Sequence, residues 1–280
     1  MQCPQCEQEI SLHLTVCDQC GAQLGYPNVR QAARESEVKA LEARYNKSVE
    51  ETKNRGCETV LEEFEKWIVE STRPVICRKW GTIEPLLSRT GDLFRTFYEL
   101  IEAKERVPLD NFFDQARQAV DATFFPHYYQ RVNFAALAGD GRGPESYGDC
   151  HFTFKENAIN HRTTVFEENT LVFCVNHSVI AGQPPPAGYL STWDNRGQVA
   201  VCKLAMKLDN STQMTDFPGI LIIQTGITDG DEFIECHIFG RLTVSNIESF
   251  WAKAPTRKAD KLLAKRIRKK LKALDVDEIT

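Results

Sequence analysis

Residues 149–155, DCHFTFK, are where the reading of this chain turns. Cys150, Phe152 and Phe154 alternate with His151, Thr153 and Lys155, and a period of two is the pattern of a strand with distinct faces. Upstream, back to about residue 28, apolar residues recur instead at spacings of three and four. That change of period predicts an α+β protein, with helices first and strands after.

Downstream the strand character continues. The runs TLVFCV (170–175), QVAVCKLAMKL (198–208), GILIIQT (219–225) and EFIECHIF (232–239) are short and apolar or alternating. Turn-rich AGQPPPAG, DNSTQ and TDGD separate them. A mainly β domain is therefore expected over 147–252, with a short helix opened by Ser245-Asn246-Ile247-Glu248, which fits a capping box. Upstream, the glycine-rich stretch 138–149 reads as a loop, and helical patterns at 83–104, 109–122 and 126–137 make 74–140 a helical region. Earlier still, Val38, Leu41, Tyr45, Val49, Cys57, Val60, Leu61, Phe64, Trp67 and Ile68 mark one face of a long helix within 28–73, ended by Pro74. A helix of that length either pairs, as a coiled coil or with its own copy in a homodimer, or breaks near Asn54–Gly56.

The first 25 residues follow neither period. Cys3-x-x-Cys6 and Cys17-x-x-Cys20 each put two thiolates on a tight turn, with Pro4 and Gly21 supplying the turn chemistry. The residues between the pairs suffice for a small hairpin, so that Cys3, Cys6, Cys17 and Cys20 meet one zinc ion at roughly 2.3 Å. The other cysteines are scattered, mostly in apolar runs, and read as small buried hydrophobes of a reducing compartment. This stretch resembles the short zinc-ribbon modules of prokaryotic proteins, a resemblance that implies a fold and a metal rather than a reaction. A fully cysteine-ligated zinc has no open position for substrate, so the site is structural. A segment this short cannot bury enough apolar surface to fold alone, and metal binding supplies on the order of 10 kcal/mol. Mounted on a helix, such a knob reads as a recognition element for protein or nucleic acid.

The net charge of -5 conceals a basic end. Residues 257–272, RKADKLLAKRIRKKLK, carry nine positive charges against Asp260. The segment 256–274 reads as a basic amphipathic helix with Leu263, Ile267, Leu271 and Leu274 on one side. Lys261, Lys265, Arg266, Arg268, Lys269 and Lys270 are its candidate phosphate contacts, and the alternative is a solvated face on a packed helix. No apolar run approaches the roughly 20 residues of a membrane span, and no secretory pattern is visible at the N-terminus. No membrane association and a cytoplasmic location are the resulting expectations.

Candidate catalytic groups lie in the strand region. An extended 232–239 sends Glu235 and His237 to one face, a usable acid/base pair. Arg162, then Ser191-Thr192, then Glu235 is similar to the Arg, Ser-Thr-Ser, Glu-x-Glu order of ADP-ribosyltransferases. That resemblance implies NAD as cofactor, with Arg162 and Ser191 holding the dinucleotide and Glu235 stabilising a cationic ribose. Trp193 and Phe233 depart from it, standing where the family has a serine and a glutamate. Three readings follow: a modular intracellular binding or effector protein whose β domain is the output, an NAD-using enzyme, or a nucleic-acid binder acting through ribbon and basic helix.

Overall fold

The computed structural model describes residues 1–84, 87, 93–105, 107–108, 112–227 and 230–279. After the ribbon, whose two small hairpins are pinned by the bridges Gln2↔Glu9 and Val16↔Gln23, the chain runs through helices α1 (Pro27–Ala32), α2 (Glu35–Asn54) and α3 (Glu58–Ser71). Strand β1 (Arg73–Arg78), helix α4 (Trp80–Ile83), strand β2 (Leu93–Phe94) and helices α5 (Phe97–Glu102) and α6 (Phe112–Phe124) follow. Next come β3 (Val132–Ala138), β4 (Cys150–Phe154), α7 (Glu156–Ile159), β5 (Thr163–Phe166), α8 (Thr170–Asn176), β6 (Leu190–Thr192), α9 (Arg196–Leu204) and α10 (Phe217–Leu221). Strands β7 (Glu235–Phe239), β8 (Leu242–Thr243) and β9 (Ile247–Ala252), helix α11 (Lys258–Ala273) and strand β10 (Asp277–Glu278) complete it.

The architecture is α+β, built on an eight-stranded sheet in the order β10-β9-β4-β1-β3-β7-β5-β6. Its pairs are antiparallel except β9 with β10. Strands β2 and β8 form a separate two-stranded pair. Cross-strand partners share a face, so the register sorts the side chains. Ser191, Val165, Cys236 and Ala135 form one row. Leu190, Phe166, Glu235, Ala136 and Val75 form a neighbouring row of the opposite orientation. The first face joins the larger core with Phe64 and Ile68 of α3 and Val199 of α9. At the β5–β7 end, the second face lies under an aromatic cluster that includes Phe124, Phe125, Phe166, Phe173 and Phe239.

The expectations fare unevenly. The long helix over 28–73 is three helices and breaks near Asn54–Gly56, the second of its two alternatives: α2 ends at Asn54, Gly56 takes φ of 72°, and α3 folds back so that the Tyr45 hydroxyl donates to Glu65 at 2.8 Å. A left-handed φ suits glycine and ends a helix cleanly. The apolar face expected to pair as a coiled coil is occupied by the chain's own core, where Leu41, Leu61, Phe64 and Ile68 are buried. Segment 126–137 is not helical at its end, because Val132–Ala138 forms strand β3 between β1 and β7. An apolar run such as VNFAALA satisfies both periods, and two waiting strand edges decide it. The helical region 74–140 thus contributes two central strands. In the region expected to be mainly β, TLVFCV lies in α8, QVAVCKL in α9 and GIL in α10. The capping box sits two residues earlier than expected, on Thr243 and Asn246, and opens a single 3₁₀ turn before β9. The expected helices 83–104 and 109–122 fall partly outside the described residues.

Candidate metal centre

Cys3 Sγ lies 3.7 Å from Cys20 Sγ, and Cys6 Sγ lies 3.8 Å from Cys17 Sγ. All four sulfurs fall within 4.8 Å of one another. A tetrahedron with arms of about 2.3 Å has edges of about 3.8 Å, close to those two distances, so the donor set fits zinc. Backbone N–H groups assist: those of Cys6 and then Gln5 pull the Cys3 thiol down to about 6. Cys20 behaves oppositely. The Ala22 N–H draws its proton affinity down, but burial and the three neighbouring thiols push it to about 12. Four thiols this close do not all ionise without a cation between them, and a divalent ion removes that conflict. Around the sulfurs, Ile10 and Leu24 form the whole of the ribbon's fully buried apolar core besides Cys3 and Cys17.

The ribbon is held on the body through α1. Arg30 donates to three ribbon carbonyls, those of Leu24 (3.1 Å), Gly25 (2.7 Å) and Leu12 (2.6 Å). On the same short helix, buried Asn28 donates to the carbonyls of Arg162 and His237, each at 3.0 Å. Tyr128 adds a bond to Gln31 at 2.9 Å, and the Tyr26 ring packs against Phe239 and His161. The metal module is therefore fixed to the β5–β7 end of the sheet. Its outer surface is acidic, since residues 1–25 hold Glu7, Glu9 and Asp18 but neither lysine nor arginine. Zinc on four thiolates adds a charge of about −2.

The remaining candidates are dispersed. Glu235 and His237 do stand together, Nε2 to Oε2 at 3.0 Å, both buried. The Glu235 carboxylate also accepts from Asn169 Nδ2 (3.1 Å) and the Thr170 N–H (3.2 Å). Asn169 is held in that pose because its Oδ1 caps α8 through the Leu171 and Val172 N–H groups. Rings of Phe125 and Phe134 lie edge-on to His237 at 4.7 and 5.4 Å, and its Nδ1 has no partner. Nε2 is thus the ring nitrogen through which His237 meets the protein, at Glu235. Nearby, buried Asp121 accepts from the Tyr98 hydroxyl at 2.7 Å. Burial first, with the Glu235 charge adding to it, pushes the Asp121 carboxyl up to about 6 against the pull of Arg117 and Tyr98. Nothing in the sequence pattern pointed to Asp121, whose helix shows only ordinary amphipathic spacing.

Arg162 and Ser191 do not join this cluster. Ser191 belongs to the row of Cys236, on the opposite face of the sheet from Glu235, and its hydroxyl donates to the Thr192 carbonyl. The Arg162 guanidinium is bonded to the carbonyls of Ala158, Phe239 and Arg241 at 2.8–3.0 Å. Among the candidate phosphate contacts, Arg266 pairs with Glu84 (3.0 Å), Arg268 with Glu278 (2.6 Å), and Lys270 bonds to the Glu84 carbonyl (3.2 Å). Lys261, Lys265 and Lys269 are exposed.

A family model described as a zinc-ribbon domain matches residues 1–82. With the four convergent sulfurs, it identifies the N-terminal part of the chain as a zinc-ribbon domain binding a structural zinc. The match runs well past the sulfurs, through α1 to α3 and into α4. A search of curated proteins finds no match. Among the described residues, no helix is long and apolar enough to cross a membrane.

Proposed function

We propose that this is a modular binding protein in which the zinc ribbon and the α2–α3 hairpin recognise a macromolecular partner, and the α+β body is the platform or output. The observation that carries this reading is the mounting: Arg30 ties the metal module to α1 by three hydrogen bonds, while Gln5, Glu7, Glu9, Asp18 and Gln19 face solvent. A rigid mount lowers the entropy lost on binding, which is the use of a preorganised head. The acidic surface favours a protein partner over a phosphate backbone. To test this, a photocrosslinking residue at Gln5 or Gln19 is expected to yield a discrete protein adduct in cells, lost in Cys3→Ser. An adduct unchanged by Cys3→Ser, or one to nucleic acid alone, removes the reading.

The NAD-using alternative is supported only by the Glu235–His237 contact, since Ser191 stands on the other face. Glu235 is already engaged by Asn169, Thr170 and His237, which favours a structural role. Isothermal titration with NAD decides the matter. Saturable binding that Glu235→Gln weakens more than it weakens the fold restores the enzyme.

A further inference from the structure

The basic helix α11 does not present its charge evenly. Its apolar side, Ala264, Ile267 and Leu271, is buried in the main core. The arginines of the helix are neutralised locally, Arg257 by Asp260 (2.7 Å), Arg266 by Glu84 and Arg268 by Glu278. What remains is Lys258, Lys261, Lys265, Lys269 and Lys272, all exposed. At 100° per residue these five fall within an arc of about 80°, and at 1.5 Å per residue the row is about 21 Å long. It is a straight rail of ammonium groups on a chain whose net charge is -5.

We propose that this lysine rail binds the phosphate backbone of double-stranded DNA without reading its sequence. Charge complementarity supplies the attraction, because five ammonium groups along one line displace condensed counterions from a polyanion. Duplex is favoured over single strands because the rail carries no aromatic side chain on which bases would stack. B-form DNA is favoured over duplex RNA because a helix about 10–12 Å across enters a major groove about 12 Å wide, whereas the A-form major groove is too narrow. An anionic membrane is a poorer surface, since Leu262 is the one large apolar side chain beside the rail and the other leucines face the body. The rail also lies far from the ribbon. Helix α11 packs at the β9–β10 edge while α1 sits on β5–β7, so the two surfaces occupy opposite ends of the sheet. DNA binding is therefore independent of the partner proposed for the ribbon.

The test is fluorescence anisotropy of the full, zinc-loaded chain with a 30-base-pair duplex over 50–200 mM salt. If all five lysines engage, the log–log slope is about −4.5, a loss of roughly 500-fold over that range. Replacing the five lysines by Gln, a good helix former, is expected to weaken binding at least 100-fold, whereas replacing them by Arg preserves it. Arg266→Gln with Arg268→Gln serves as the off-rail control and is expected to change binding less than fivefold. Zinc chelation leaves duplex binding in place. No binding at 50 mM salt overturns the proposal, as does a Gln variant that binds like the wild type. Loss in the Arg variant equal to that in the Gln variant, or tighter binding to single-stranded DNA, duplex RNA or phosphatidylserine vesicles than to duplex DNA, does the same.

Discussion

Two clusters of titratable groups are gathered in this molecule, and they are held by opposite means. In the ribbon, four thiols meet around a point that only a cation can fill, with little apolar surface to hold them there. Beneath the sheet, Glu235 and His237 with Asn169, and beside them Asp121 with Tyr98, lie against an aromatic core and are linked within each set by hydrogen bonds from the chain itself. The first depends on an ion from outside, and its geometry is a property of the metal. The second depends on packing, and its geometry is a property of the fold. Removing the metal and removing a hydrogen-bond partner should therefore damage different parts of the protein.

The largest effect is expected from the metal. Chelation, or Cys3→Ser, removes free energy on the order of 10 kcal/mol from a module with almost no core of its own. Residues 1–25 should become protease-sensitive and lose amide protection, while the far-ultraviolet circular dichroism of the body is nearly unchanged. Global unfolding on chelation would break the comparison, because it would make the ribbon part of the body's cooperative unit.

The two clusters also differ in how legible they were. The ribbon could be read whole, because metal geometry demands four donors in two close pairs and few other patterns satisfy it. The sheet cluster could be read by half. A period of two put Glu235 and His237 on one face of a strand, but Asp121, Tyr98 and Asn169 arrive from elsewhere in the chain, and only the packing of α6, α5 and α8 brings them there. Ser191 shows the same limit from the other side. Its order in the chain matched a catalytic pattern, yet strand pairing with Val165 turned it to the opposite face. The fold was misread where local pattern was ambiguous. VNFAALA became a strand and QVAVCKL a helix because of the edges and faces waiting for them, information that a short window does not contain.

An intermediate effect is expected at Glu235. Glu235→Gln replaces an acceptor for three donors by a group with one acceptor and one donor end, so an N–H must face Asn169, Thr170 or His237. Leaving one buried group unsatisfied costs about 1–3 kcal/mol. Urea unfolding should show that loss, with full zinc content retained. A variant as stable as the wild type would mean that the network is not what holds β7 to α8.

An effect no larger, and confined to a pH window, sharpens the comparison further. Burial raises the Asp121 carboxyl to about 6 from its ordinary 3.8, so the folded protein holds that proton more tightly than the unfolded chain does. The resulting stability is fully present below pH 3.8 and is lost as pH rises through about 6, where a buried carboxylate must be carried ionised. Asp121→Asn removes the titration and keeps an acceptor for the Tyr98 hydroxyl. Relative to the wild type, the variant is expected to gain about 1–3 kcal/mol between pH 4 and pH 7.5, the upper end corresponding to the whole shift. The measurement is the difference in urea unfolding free energy at the two pH values. A difference that does not change with pH would show that Arg117, 3.9 Å away, already compensates the charge. The cluster beneath the sheet would then be held as an ion pair, closer in kind to the metal site than its burial suggests.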